Sequence, residues 1–177
     1  EFMSPRTVLI TGGTRGIGHA LVEHFARLGL QVITTASSEE GAQSLRSLLS
    51  DKELSAVKVL PLDLGCQQSI DGFVSALLEI NPTLDILINN AGITQDQISL
   101  RLKREHWDKV IAVNLTGTFF LTKAILRCML KKRFGRIIFL SSIVASIGNP
   151  GQANYCASKA GLLGMMRSLS LEFAAKD

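Results

Sequence analysis

Eleven residues near the amino terminus, Val8-Leu9-Ile10-Thr11-Gly12-Gly13-Thr14-Arg15-Gly16-Ile17-Gly18, restrict the fold more than any other stretch of the chain. A short apolar, β-branched run meets a glycine-dense turn, and an amphipathic segment from His19 to Leu28 follows at once. Strand, glycine turn and helix N-terminus are the parts of a phosphate-binding βα unit. Gly12 permits a tight turn, Gly16 lets an anion approach the backbone, and Gly18 lets helix and strand pack closely. The unpaired N–H groups of the first helical turn then face the anion with a partial positive charge.

The rest of the chain repeats this alternation. Arg6–Thr11 reads as the first strand and Gly16–Leu28 as the first helix, closed by Gly29. Gln31–Thr35, Ala56–Leu62, Leu84–Asn89 and Arg136–Ser141 read as further strands. Glu39–Leu49 (N-capped by Ser38), Gln67–Ile80, Glu105–Val113, Leu115–Lys132 and Gln152–Ala175 read as helices. Strands alternating with helices predict a doubly wound α/β fold with a parallel sheet, strand order 3-2-1-4-5, and ligands at the strands' carboxyl ends. Residues 5–177 form one domain, and 1–4, with Glu1-Phe2 ahead of Met3, read as a cloning remnant and tail.

Composition excludes several classes. Apolar residues make up 46% and charged residues 19%, which suits a globular chain. No uninterrupted apolar run approaches the roughly 20 residues that cross a bilayer. Cys66, Cys128 and Cys156 form no C-x-x-C pair and one is left over in any pairing, which favours reduced thiols and a cytoplasmic setting. His19, His24 and His106 lack metal-ligand spacing, so no metal is expected. The net charge of +4 is mild, and neither nucleic acid nor membrane is an expected partner.

The strand ends carry the chemistry. Strand two ends Thr35-Ala36-Ser37-Ser38 without an acid, where Asp or Glu would bind an adenosine ribose hydroxyl and repel a 2′-phosphate. That absence, with Arg15 in the glycine turn, favours NADP over NAD. Asp63-Leu64 follow strand three, and Asp63 reads equally as a turn residue. Strand four ends Asn89-Asn90-Ala91-Gly92, and Ser142 follows strand five. Tyr155 and Lys159, four apart, share a face of the last helix.

The spacing T-G-x3-G-x-G, the N-N-A-G stretch and the set Asn114, Ser142, Tyr155, Lys159 together resemble the short-chain dehydrogenase/reductase family. The resemblance implies NADP(H) bound by Gly12, Thr14, Arg15, Gly16, Ile17, Gly18, Ser37, Asp63, Leu64, Asn90, Ala91 and Gly92, with Tyr155 and Lys159 at its nicotinamide end. It implies Tyr155 as proton donor, Lys159 as its tuner and a ligand of the ribose, and Ser142 as a donor to the substrate carbonyl. Asn114 would hold a water that connects Lys159 to solvent.

Within the family, the stretches Asn89–Thr94, Lys131–Ile138 and Gly148–Tyr155 are most similar to reductases of 3-oxoacyl chains carried on acyl-carrier protein in fatty-acid biosynthesis. That likeness implies an acidic carrier protein docking on Arg133 and Lys176. Relatives run roughly seventy residues further and are commonly tetramers, so this chain reads as truncated, with strand five an uncovered edge. Another ketone or alcohol oxidoreductase of the family, or a nucleotide-binding fragment without turnover, fits the same motifs.

Overall fold

The computed structural model describes residues 5–174. Residues 1–4, read above as a remnant and tail, and Lys176 lie outside the described residues. Five parallel strands form the sheet: β1 (Thr7–Ile10), β2 (Gln31–Ala36), β3 (Lys58–Pro61), β4 (Ile86–Asn89) and β5 (Arg136–Phe139). Their order is β3-β2-β1-β4-β5, as the alternation predicts. Helices α1 (Gly16–Arg27), α2 (Glu39–Asp51), α3 (Gln67–Ile80), α4 (Arg104–Ile111), α5 (Thr118–Lys132), α6 (Val144–Ile147) and α7 (Ala153–Phe173) connect and cover them.

Strand alternation sorts the core into two layers. Leu9 and Leu87 point to one face, where Phe73 and Leu77 of α3 and Leu121, Ile125 and Met129 of α5 pack. Val8, Ile10 and Ile88 point to the other, against Val22 of α1 and Leu45 and Leu49 of α2. All four residues of β1 are buried, which is why its sequence is a continuous apolar run rather than an alternating one. β5 differs: it lies at the sheet edge, and Ile138 is 47% exposed.

Two expectations are corrected. The segments Glu105–Val113 and Leu115–Lys132 are not separate helices, because α4 and α5 run into one another through a π-helical turn, Ala112–Gly117. The wider turn absorbs an additional residue without ending the helix. A short helix, α6, and a 3₁₀ turn, Ser99–Arg101, stand where only connections were read. Both are too short to carry a periodicity. An 18-residue window within the continuous helix Arg104–Lys132 reaches a mean hydropathy of 1.3, enough to cross a membrane by length and composition alone, although no unbroken apolar run reveals it. Leu121 and Ile125 are fully buried against the sheet, so its apolar face belongs to the core of the fold.

At the amino edge of the sheet Asp85 fastens three elements. It accepts from the backbone N–H of Thr7 at 2.7 Å, pairs with Lys132 at the end of α5, and its backbone carbonyl accepts from Arg136 N–H at 2.9 Å. Partial burial pushes its carboxyl up, but Lys132, the Thr7 N–H and Arg6 outweigh that and hold it below the usual aspartate range. Replacing Leu121 by Ala is expected to cost about 2–5 kcal/mol, read as a lower urea midpoint with an unchanged slope.

Candidate active site

The glycine turn is locked from β4. Asn90 Nδ2 donates to the carbonyls of Thr11 (2.8 Å) and Gly12 (3.1 Å). Thr11 Oγ1 accepts from the N–H groups of Asn90 (3.1 Å) and Ala91 (3.0 Å). A Cβ on Gly18 would lie 2.1 Å from the Gly12 carbonyl oxygen, so the first turn of α1 is pressed directly on the end of β1. Gly16, at φ +56°, has nothing within 4 Å of a Cβ position, which leaves its backbone open to a ligand. No side chain caps α1 and no acid occupies its first turn, so its terminal N–H groups and positive end remain unspent.

These residues border a cleft of about 840 Å³ at the carboxyl ends of the strands. Gly12, Thr14, Arg15, Gly16, Ile17 and Gly18 line it from the turn; Ser37, Asp63 and Leu64 line it from the ends of β2 and β3. Asn90, Ala91 and Gly92 complete the wall from β4. Twelve of the fourteen dinucleotide contacts expected from the sequence therefore border one cavity, and Tyr155 and Lys159 are not among its lining residues. Asp63 fulfils its turn reading, accepting from Gly65 N–H at 2.8 Å, while still facing the cleft. The nearest acids after β2 are Glu39 and Glu40. Glu39 is held by Arg46 Nη1 at 2.8 Å, and neither lines the cleft.

Sequence reasoning missed Ile93, Lys109 and Val113, which also line this cavity. Lys109 and Val113 are four apart on the helix that carries Asn114, so the helical spacing just before Asn114 was a usable signal.

A second group of residues gathers where α7 crosses the π-helical turn. Asn114 is fully buried. Its Oδ1 accepts from Ile93 N–H at 2.8 Å, and its Nδ2 donates to Ile93 carbonyl (2.9 Å) and Ser158 Oγ (3.1 Å). Both amide hydrogens are thus committed to protein. Ser158 Oγ in turn donates to the Tyr155 carbonyl at 2.8 Å. Lys159 is 4% exposed, with Nζ donating to the Leu140 carbonyl at 2.8 Å and lying 5.8 Å from the Tyr155 ring centroid. Ser141 Oγ donates to the Lys159 carbonyl at 3.0 Å, which ties the end of β5 to α7 one residue before Ser142. Gly92 joins the two groups, since a Cβ there would sit 3.4 Å from both Asn114 Oδ1 and Lys159 Nζ.

Residues 6–177 match the family described as short chain dehydrogenase. The chain belongs to that family. It is 46% identical over 174 residues to the 3-oxoacyl-[acyl-carrier-protein] reductase of Haemophilus influenzae, covering 98% of this chain and 70% of that protein. It is 44% identical over 171 residues to the reductase of the same name from Escherichia coli K12, covering 97% and 68%. A solved structure described as a short-chain alcohol dehydrogenase from Sinorhizobium meliloti 1021 superposes with a TM-score of 0.88 at 34% identity, over 98% of this chain and 69% of that one. The family is one of oxidoreductases, and its doubly wound parallel sheet is the sheet described above.

Arg133 stands apart from these groups. It caps α5 in a left-handed conformation (φ 56°) before the start of β5, whereas Ser142 follows the opposite end of that strand. Within one chain the length of β5 separates it from Tyr155.

Burial holds the Lys159 ammonium below the ordinary lysine value of 10.5. Below that depressed value the buried charge opposes folding, and the opposition fades as pH rises toward 10.5. Lys159→Met is therefore expected to be more stable than the wild type at pH 7, by about 1 kcal/mol. The advantage should shrink in urea titrations repeated at rising pH.

Proposed function

We propose that this chain carries the machinery for NADPH-dependent reduction of a 3-oxoacyl thioester borne on acyl-carrier protein, giving the 3-hydroxyacyl form. The observation that carries the reading is Lys159, a buried cation held at the Leu140 carbonyl beside the Tyr155 ring and next to Gly92, which lines the cleft. Identity of 44–46% to named reductases of this substrate class supports the choice of acyl thioester over other ketones.

The cleft fits the cofactor on its own terms. The uncapped α1 N-terminus and the open backbone of Gly16 suit a pyrophosphate. Arg15 and Ser37 suit a 2′-phosphate, and the withdrawal of Glu39 onto Arg46 removes the acid that would repel it. Bound there, the nicotinamide supplies the hydride.

The protein's own residues manage the proton and the charge. A free phenol has a pKa of about 10, too high for ready proton exchange near neutrality. Lys159 is the cation placed to offset the negative charge that Tyr155 would develop on giving up its proton. Tyr155 gives its hydroxyl proton to the carbonyl oxygen of the substrate as charge develops there. Ser142 Oγ donates a hydrogen bond to the same oxygen. Asn114 fixes Ile93 and Ser158 around them; because both its amide hydrogens are committed, a water leading from Lys159 to solvent would be held by an acceptor oxygen of Asn114.

Relatives of this type work in the cytoplasm, commonly as tetramers, and the same setting is proposed here. A tetramer also bears on the carrier protein. Arg133 stands before the start of β5 and Ser142 after its end, so Arg133 would serve docking at a neighbouring subunit's site. Ketone reduction of another substrate class remains the second reading, favoured by the likeness to the alcohol dehydrogenase structure.

NADPH absorbance with an acetoacetyl thioester tests the reaction. Tyr155→Phe should lose nearly all turnover while NADPH affinity stays close to wild type; retained turnover would sink the assignment. Arg133→Glu should raise KM for carrier-bound substrate and leave the rate with a free thioester unchanged. A rate and KM with carrier-bound substrate unchanged from wild type would remove Arg133 from docking.

A further inference from the structure

His19 turns back from the first turn of α1 onto the glycine turn, with Nδ1 3.1 Å from the Gly13 carbonyl oxygen. A carbonyl only accepts, so Nδ1 carries a proton. The other ring nitrogen faces two neighbours with opposite demands. Nε2 is 2.9 Å from Glu23 Oε1, an acceptor, and 3.3 Å from Lys52 Nζ, a donor at the end of α2. Glu23 and Lys52 are also paired with one another.

The ring therefore has two states. As imidazolium it donates to both Gly13 and Glu23. As the neutral Nδ1–H tautomer it accepts from Lys52 and turns its Nε2 lone pair toward the carboxylate. Lys52 first, then His19, holds the Glu23 carboxyl below the usual glutamate range, so the carboxylate is present in both states near neutrality. A tie between α1 and α2 needs only the Glu23–Lys52 pair. The hold on Gly13 is additional, and it bears on a residue set between Gly12 and Thr14 of the cleft, whose own N–H donates to the Thr35 carbonyl at 3.0 Å.

We propose that His19 is a positioning residue for the dinucleotide turn, and that its protonation strengthens binding of the dinucleotide's phosphates. The proposal rests on the cofactor reading given above. Protonation makes the Gly13 hydrogen bond charge-assisted and adds a cation beside the helix end where an anion would sit. A cation at a helix N-terminus is disfavoured until an anion arrives, so proton and phosphate binding favour each other. The charged groups facing the ring are Glu23 on α1 and Lys52 on α2, with Arg15 in the adjoining turn.

NADPH fluorescence titrations from about pH 5.5 to 8.5 test it, on wild type, His19→Gln, His19→Lys and Glu23→Gln. The 2′-phosphate of NADPH itself titrates near pH 6, so the quantity to read is each variant's dissociation constant divided by that of the wild type at the same pH. For His19→Gln that ratio should be roughly three- to tenfold at the acid end and fall toward one at the alkaline end. His19→Lys, a permanent cation, should bind relatively better as pH rises. Glu23→Gln, which removes the partner of the imidazolium, should shift the transition to lower pH. Ratios constant across pH would overturn the proposal and leave His19 a structural tie. A wild type that binds no NADPH at any pH would overturn the cofactor reading along with it.

Discussion

The contact between Gly18 and the Gly12 carbonyl leaves no room for a single carbon atom, and the working geometry of this molecule starts there. It brings the positive end of α1 onto the tip of β1, and Asn90 then clamps that junction from β4 by donating to Thr11 and Gly12. One asparagine side chain thereby spans the seam between the two central strands. The cleft that results is rigid because its backbone carbonyls are already engaged, while the N–H groups at the helix end are not. A site with satisfied acceptors and unspent donors selects an anion without needing a charged side chain at its centre.

The group around Lys159 follows a different principle. Lys159 is a charge buried without a carboxylate partner in the described structure, held by one main-chain carbonyl. Such placement costs stability and gains a polarising group beside a phenol, a trade expected at sites of proton transfer. The helix Arg104–Lys132 connects the two halves. Lys109 and Val113 face the dinucleotide cleft, Asn114 reaches α7, and Leu121 and Ile125 anchor the same rod in the core.

What the sequence made legible, and what it did not, divides along physical lines. The strand order and the lining of the cleft were readable because glycine spacing and strand ends are local features with few alternative uses. Asn114, Ser142, Tyr155 and Lys159 were singled out through family resemblance, although the commitment of the Asn114 amide to Ile93 was not legible, since that contact joins residues 21 apart. The π-helical turn was misread as a break between helices because Asn114, a residue type favoured as an N-cap, stands directly before the apolar stretch that resumes at Leu115. The hold of His19 on Gly13 escaped because a histidine judged only by metal spacing is not examined as a donor to main chain. Arg133 shows the opposite failing. Its type and position in the text matched the resemblance, yet the fold sets it at the far end of β5.

Asn114 also bears on how this protein can vary. Its amide presents one donor and one acceptor to Ile93 at the spacing of a peptide group, with a second donor left for Ser158. Asp lacks the donor, Gln is one methylene too long, and Ser or Thr offers a single oxygen. Every residue that a one-nucleotide change can substitute for asparagine (Asp, Ser, Thr, Lys, His, Tyr or Ile) breaks the pattern. The position is isolated in mutational space: a lineage can keep it or lose it, but has no intermediate through which to drift.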